Sequence, residues 1–296
     1  MDESKLSRNP SKQWNDTDAS EAKGDDWDKL AKEYTKLTYE TSLKPIGLML
    51  ERSNALLPFS EATGILDDGC GPGPIMSRIL KDHGSDIPKE CTLLCTDFSE
   101  PMLKQVESQK AAAAADSPWK RVDIKHQDAT DLEAIEDNSM SHVTAGMVFF
   151  MTPDPLKCLT ETRRVLKENG VAAISSWEGN QWMDIMKVMS EVDSAKQLPE
   201  IPSEWRSTSG VQGEMQKAGF RDTESHRVHV EMEFQTHESF VDFILAKIPH
   251  MITLTKGMSE AELAKLRESM VAKSKDMCPS EPGRFTGEAI VGVGKK

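Results

Sequence analysis

The chain predicts an α/β fold in which strands and helices alternate around a mostly parallel sheet, with a helical cap added late. Three observations predict it. Between Thr63 and Ser175, short apolar runs alternate with helically spaced stretches across short connections. A glycine-rich turn, Gly69-Cys70-Gly71-Pro72-Gly73, joins the first of those runs to a helix. A final apolar run, Phe285–Gly294, has no helix after it.

Residues 1–26 mix Asp, Glu, Lys, Ser and Asn without periodicity and read as a disordered arm, leaving 27–296 as one domain. Trp27, Leu30, Ala31, Tyr34 and Leu37 fall at helical spacing, and a second helix covers about Ser42 to Leu57. Ile65-Leu66 end a buried strand. Pro74 suits a first helical position, where no donor is lost, and Ile75, Met76, Ile79 and Leu80 stripe that helix to about His83. Cys91 to Thr96 makes the second strand, and Met102 to Ala115 a helix rich in alanine. Val122–His126 and Ser141–Gly146 follow as strands. The helix Pro155–Val165 then turns at Lys167-Glu168-Asn169-Gly170 into a fifth strand, Val171–Ser175. Beyond it the simple alternation stops. Helices are expected within Glu178–Arg206 and over Val211–Ala218, His237–Met251 and Ser259–Ser274, with a sixth strand at Phe220–Glu231 and the seventh at the end. The helical material within 178–284 is what the chain offers to cap a site.

Composition narrows the partners. The 296 residues carry a net charge of −13 and 38% hydrophobic residues. No apolar run approaches the roughly 18 residues of a membrane span, and the polar N-terminus lacks the apolar core of a secretion signal. Five cysteines, without a C-x-x-C pair, suggest reduced thiols and no zinc site. The acidity argues against nucleic acid, whose affinity comes largely from phosphate contacts. A cytoplasmic protein with a small-molecule partner, no membrane and no metal is the expectation.

The glycine loop carries the chemistry. Its spacing is G-x-G-x-G rather than the G-x-G-x-x-G of dinucleotide binders. Glycines allow a tight turn and close approach of a ligand. Asp67, just before the loop, would repel a phosphate and attract a cation. S-adenosylmethionine fits: it has no phosphate and carries an amino group and a sulfonium. Asp97 closes the second strand 24 positions beyond Gly73, where a Rossmann-like unit places its ribose-binding acid; two charge-assisted hydrogen bonds to the ribose hydroxyls are within its means. Phe98 would then lie beside the adenine and Met102 over it.

Asp67 through Gly73 resemble motif I of the class I S-adenosylmethionine-dependent methyltransferases. Arg164-Val165-Leu166-Lys167-Glu168-Asn169-Gly170 resembles the R-V-L-K-P-G-G segment of the small-molecule members. The resemblance implies a Rossmann-like seven-stranded sheet whose last strand is antiparallel and inserted between the fifth and sixth. It further implies that Asp67, Gly69, Cys70, Gly71 and Gly73 hold the methionine end and that Asp128 with Ala129 reads the adenine. Met147, after the fourth strand, and Tyr34, on the N-terminal helix, complete the cofactor set. Trp177, Asn180, Trp182 and the sequence D-I-M-K-V-M are similar to fungal methyltransferases of secondary metabolism, nearest to those that cap the thiols of epidithiodioxopiperazines.

Methyl transfer is an in-line displacement, so placing a nucleophile behind the sulfonium methyl supplies most of the catalysis. Charge neutralisation in that step favours a water-poor apolar pocket, for which Phe149, Phe150, Trp177, Trp182 and Met186 are the expected walls. No general base stands out among the scattered histidines. A phenol, of pKa about 10, would want one; a thiol, of pKa about 8.5, is already a few per cent ionised near neutrality. Sulfur is therefore the favoured acceptor, with oxygen or nitrogen of a natural product as alternatives. Two rivals stand beside this reading: a nicotinamide oxidoreductase, disfavoured by the loop spacing and the Asp67-Asp68 pair, and a non-catalytic protein that keeps the cofactor fold as a regulator.

Overall fold

The computed structural model describes residues 41–296. The helix expected from Trp27, and Tyr34 with it, lies outside the described residues. In chain order the strands are β1 (Gly64–Asp68), β2 (Thr92–Asp97), β3 (Val122–His126), β4 (Met140–Gly146), β5 (Leu166–Asn180), β6 (Arg221–Phe234) and β7 (Gly283–Lys295). The helices are α1 (helical over 41–56), α2 (Pro74–His83), α3 (Glu100–Ala112), α4 (Pro155–Val165), α5 (Gln181–Met186), α6 (Met189–Val192), α7 (Thr208–Lys217), α8 (His237–Lys247), α9 (Pro249–Thr255) and α10 (Glu260–Met277).

The strands form one sheet in the order β3-β2-β1-β4-β5-β7-β6. β1 through β5 pair in parallel, and β7 runs antiparallel between β5 and β6. That is the Rossmann-like arrangement expected, with the last strand inserted where the resemblance puts it. All five residues of β1 are buried, as a central parallel strand covered on both faces requires. Ile65 joins α1, α2 and α3 in a core on one face, through Met49, Met76, Ile79 and Val106. Leu66 joins α4 and α7 on the other, through Leu159, Val165, Val211 and Met215. A third cluster lies beyond the ends of β5, β6 and β7, where Trp182, Ile185, Phe234, Phe240, Phe285 and Met270 bury one another. This is the helical cap. α7, although it falls between cap elements in sequence, packs on the sheet.

Three boundaries differ from the sequence expectation. α3 stops at Ala112 and not at Ala115, because the alanines there are mostly exposed and pack on nothing; propensity alone does not hold the last turn. The helix expected from Glu178 begins at Gln181. Residues up to Asn180 stay in β5, paired with Gly287 and Glu288 of β7, and the Asn180 side chain then accepts the Met183 N–H at 2.8 Å as an N-cap. The helix expected over His237–Met251 breaks at Ile248, which is extended (φ −77°, ψ 117°) before the proline that opens α9.

Candidate active site

β1 and β4 are neighbours in the sheet, while β2 and β3 extend to one side and β5 to the other. The crevice at the C-terminal ends of β1 and β4 is thus the topological switch point, where open α/β sheets bind ligands. The loop leaving β1 turns on three glycines in the left-handed region: Gly69 (φ 63°), Gly71 (φ 53°) and Gly73 (φ 85°). Gly73 is the N-cap of α2, and its N–H donates to the Cys70 carbonyl at 2.9 Å. A Cβ on Gly69 would approach the Val148 side chain to 2.6 Å, whereas one on Gly71 would meet none of the described residues within 4 Å. The loop is therefore clamped at its root and open at its crest. Cys70 is buried, and its thiol is pushed far up by the neighbouring Cys95 thiol and by burial, so it contributes backbone rather than a reactive sulfur.

The acids divide by depth. Asp67 is fully buried behind the loop, accepting from Thr144 Oγ1 at 3.0 Å and from the Met76 N–H at 3.2 Å. It thereby ties β1 to β4 and to the first turn of α2, and does not line an open surface. Asp68, also fully buried, faces the other side of the strand. Thr96 Oγ1 donates to its Oδ1 at 2.9 Å. Burial, foremost, raises both carboxyls to about 7, with neighbouring carboxylates adding to it.

Asp97, half-buried at the end of β2, accepts the Gly71 N–H at 2.7 Å and the Ser99 N–H at 2.8 Å, so it links the glycine loop to the start of α3. Phe98 is 54% exposed beside it, the chain's most exposed large apolar side chain among the described residues. Its carbonyl meets His126 Nε2 at 2.7 Å and its ring lies 5.4 Å from the imidazole, which gives His126 a structural task. Met102 is half-buried one turn into α3. Asp128 is exposed after β3, with the Thr130 N–H and Oγ1 both on its Oδ1 at 2.8 Å, and Ala129 is buried beside it.

On the β4 side, Met147 sits in the left-handed region (φ 59°), a conformation that costs a non-glycine residue about 1–3 kcal/mol. Its N–H donates to Ser175 Oγ on β5 at 3.0 Å. At Gly146 before it, a Cβ would lie 2.6 Å from Ile75 Cδ1 of α2, so the turn and that side chain are in close contact. The turn after β4 is thus wedged against both the glycine loop and α2. Thr144, Ser175 and Val148 hold this geometry and were not singled out in the sequence, where a single hydroxyl on an apolar strand or one valine after it carries no pattern. Gln109 of α3 is another: it donates to the Pro72 carbonyl and accepts from Ser77 Oγ at 3.1 Å, pinning the loop from above.

The expected acceptor walls separate. Phe149 and Phe150 are 1% and 7% exposed and belong to the core beneath α4, because a short 3-10 turn at Phe149–Met151 folds them inward. As placed they offer an acceptor no surface. Trp182 and Met186 are buried in the cap, Trp182 against Gly287 and edge-on to Trp177 at 5.2 Å between ring centroids. Trp177 alone is half-buried and packs against both the sheet core and the cap cluster. It stands where the two meet.

The residues present fit a nucleoside that carries positive charge and no phosphate: an open glycine crest, a ribose-height carboxylate, an exposed aromatic face and buried acids behind the loop. A family profile described as a methyltransferase domain matches residues 66–174, from the middle of β1 into β5. Methyltransferase ucsB of Acremonium sp is 36% identical over 275 residues, covering 92% of this chain and 95% of that protein. The acetylaranotin bis-thiomethyltransferase of Aspergillus terreus is 25% identical over 140 residues, 47% of this chain and 44% of its own. The YcgJ protein of Bacillus subtilis shares the fold, with a TM-score of 0.52 at 16% identity over 85% of this chain and 97% of that one. Identity of 36% along nearly the whole of two chains, on a strand, glycine loop and helix built for a cationic nucleoside, shows that the chain belongs to the class I S-adenosylmethionine-dependent methyltransferases.

Proposed function

We propose that this methyltransferase acts on a small, largely apolar metabolite and that the accepting atom is the sulfur of a thiol or dithiol. The observation that carries the reading is where the histidines lie. His142 is buried in the N-terminal half of β4, held by Ser141 Oγ and the Leu57 carbonyl, and burial pushes it down to about 4. His83 packs on Phe59, His126 on the Phe98 carbonyl, and His226 and His229 beside Glu224 and Glu288 at the edge of the sheet. His237 is buried against Phe234 in the cap and His250 is on α9. Among the described residues, then, β4 and β5 carry no imidazole of their own at their C-terminal ends to take a proton from a phenol. A thiol needs none, being partly ionised near neutral pH. The likeness to a bis-thiomethyltransferase supports the same choice.

Bound S-adenosylmethionine supplies an electrophilic methyl group on a sulfonium. For the chain's part, the glycine loop and Asp97 hold the nucleoside and its ribose, while Asp128 and the Ala129 N–H meet the adenine edge. Met147 and Trp177 shape the apolar side from which the acceptor approaches and keep water from it. Transfer of labelled methyl to matched aromatic thiols, dithiols, phenols and amines, read by product mass, tests the proposal. Label on sulfur is expected; label confined to oxygen or nitrogen overturns it.

A further inference from the structure

The segment Arg164 to Gly170 contains no residue of the site above, and most of it is accounted for by the turn into β5. Val165 and Leu166 are fully buried, Asn169 takes the left-handed conformation (φ 64°), and Gly170 has backbone oxygens within 3.0 Å of any Cβ. Arg164 is not explained that way. Its guanidinium reaches the loop after β3: Nη2 donates to the Leu132 carbonyl at 2.8 Å, and Nη1 to the Ile135 carbonyl at 3.0 Å and to the Asp137 carboxylate. Glu161, 6% exposed on α4, accepts the Leu132 N–H at 3.1 Å and receives Arg164 Nε and Nη2 at 3.1 and 2.8 Å. Burial works to raise the Glu161 carboxyl, but the hydrogen bonds from Arg164 and Lys157 outweigh it and hold it below its ordinary value. Three backbone groups of one loop therefore end on a single ion pair, of which Glu161 is buried and Arg164 half-buried.

That loop begins at Asp128. Its first turn closes through Thr130 on Asp128 Oδ1 and the Asp131 N–H on the Asp128 carbonyl at 2.8 Å, and Leu132 and Ile135 then plunge into the core. Apolar anchors hold a loop against a core without fixing its register, since dispersion is not directional. A planar guanidinium with fixed donor directions does fix it. We propose that the Glu161–Arg164 pair is a positioning device for adenine recognition, setting the backbone of 128–135 so that Asp128 and the Ala129 N–H meet the nucleobase edge. The proposal rests on reading Asp128 and Ala129 as the adenine contacts.

The test compares two ligands by calorimetry: S-adenosylhomocysteine and its deaminated analogue, in which a 6-oxo group replaces the exocyclic amine. The wild type should prefer the amine by roughly tenfold, the worth of one charge-assisted hydrogen bond. R164K keeps the charge but loses the fork, and the preference should fall to roughly threefold or less. A change in preference between two ligands is not something a loss of fold stability alone produces. E161Q leaves one oxygen for the Leu132 N–H but removes the charge and turns the other acceptor into a donor facing Arg164 and Lys157; it should shift the preference the same way, and decides the matter if R164K does not fold. Wild-type preference in the folded variants, with the preference abolished in D128N, overturns the positioning role and leaves the adenine reading standing. Wild-type preference in D128N itself overturns both.

Discussion

Asp97 joins two backbone amides that belong to different parts of the cofactor site, Gly71 on the loop and Ser99 at the start of α3. On the proposed reading, in which Asp97 accepts the ribose, Asp97→Ala should both loosen the loop and remove that acceptor. A charged hydrogen bond is worth about 1.5–3 kcal/mol, so affinity for S-adenosylhomocysteine should fall roughly 10- to 100-fold; calorimetry showing unchanged affinity would remove Asp97 from the site. Asp67 and Asp68 give a pH signature. Burial lifts both to about 7 in the folded protein, above the ordinary value of about 3.9 expected when unfolded. The native state then binds protons that the unfolded chain has released. Their contribution to stability is complete below about pH 4 and is lost as pH rises through about 7. The melting temperature of the ligand-free protein should fall between about pH 5 and 8, and Asp68→Asn should flatten that slope. An identical slope in the variant would mean that Asp68 is not the group titrating.

At the scale of elements, the turn after β4 is the part of the site under strain. Met147 keeps its left-handed backbone because its N–H has Ser175 Oγ to bond and because Val148 is wedged against Gly69. Ser175→Ala leaves that amide without its partner and should destabilise the fold by about 1–3 kcal/mol in urea unfolding. Gly69→Ala asks for a methyl where Val148 already lies and for a left-handed alanine as well. It should cost about 1–3 kcal/mol from overpacking and weaken cofactor binding in the same variant. Helix ends follow similar local logic. Asn180 caps α5 and the proline after Ile248 starts α9, and each breaks a stretch whose periodicity alone reads as continuous helix.

For the whole molecule, what matters is that two cores grip the two faces of the sheet while a third assembles beyond its end. Trp177 sits on the long strand that connects them, half-buried, packed against both the second core and the cap. Trp177→Ala should raise KM for the acceptor several-fold while leaving KM for S-adenosylmethionine nearly unchanged, because the proposed nucleoside contacts lie on the loops after β1, β2 and β3. Steady-state kinetics with both substrates varied would show it, and equal rises in the two constants would place Trp177 in the core alone. No described helix is long and apolar enough to cross a membrane.

The succession of strands and helices along the chain, the left-handed glycine loop and the acids that end β1 and β2 were legible in the sequence because each is a local pattern. A buried strand is an apolar run, a left-handed turn selects glycine, and an acid closes the strand one strand-and-helix unit downstream. The last strand's antiparallel place came from resemblance and was met. Packing could not be read that way. Aromatics at Phe149, Phe150 and Trp182 have the composition of a pocket wall, yet whether an apolar side chain meets solvent, substrate or core depends on elements distant in sequence. The same holds for the hydroxyls of Thr144 and Ser175 and for Arg164, whose partners lie 77, 28 and about 30 positions away. Local chemistry thus determined the fold and the kind of cofactor. Which side chains hold that site in register was decided only when long-range contacts brought β4, β5, α4 and the loop after β3 together.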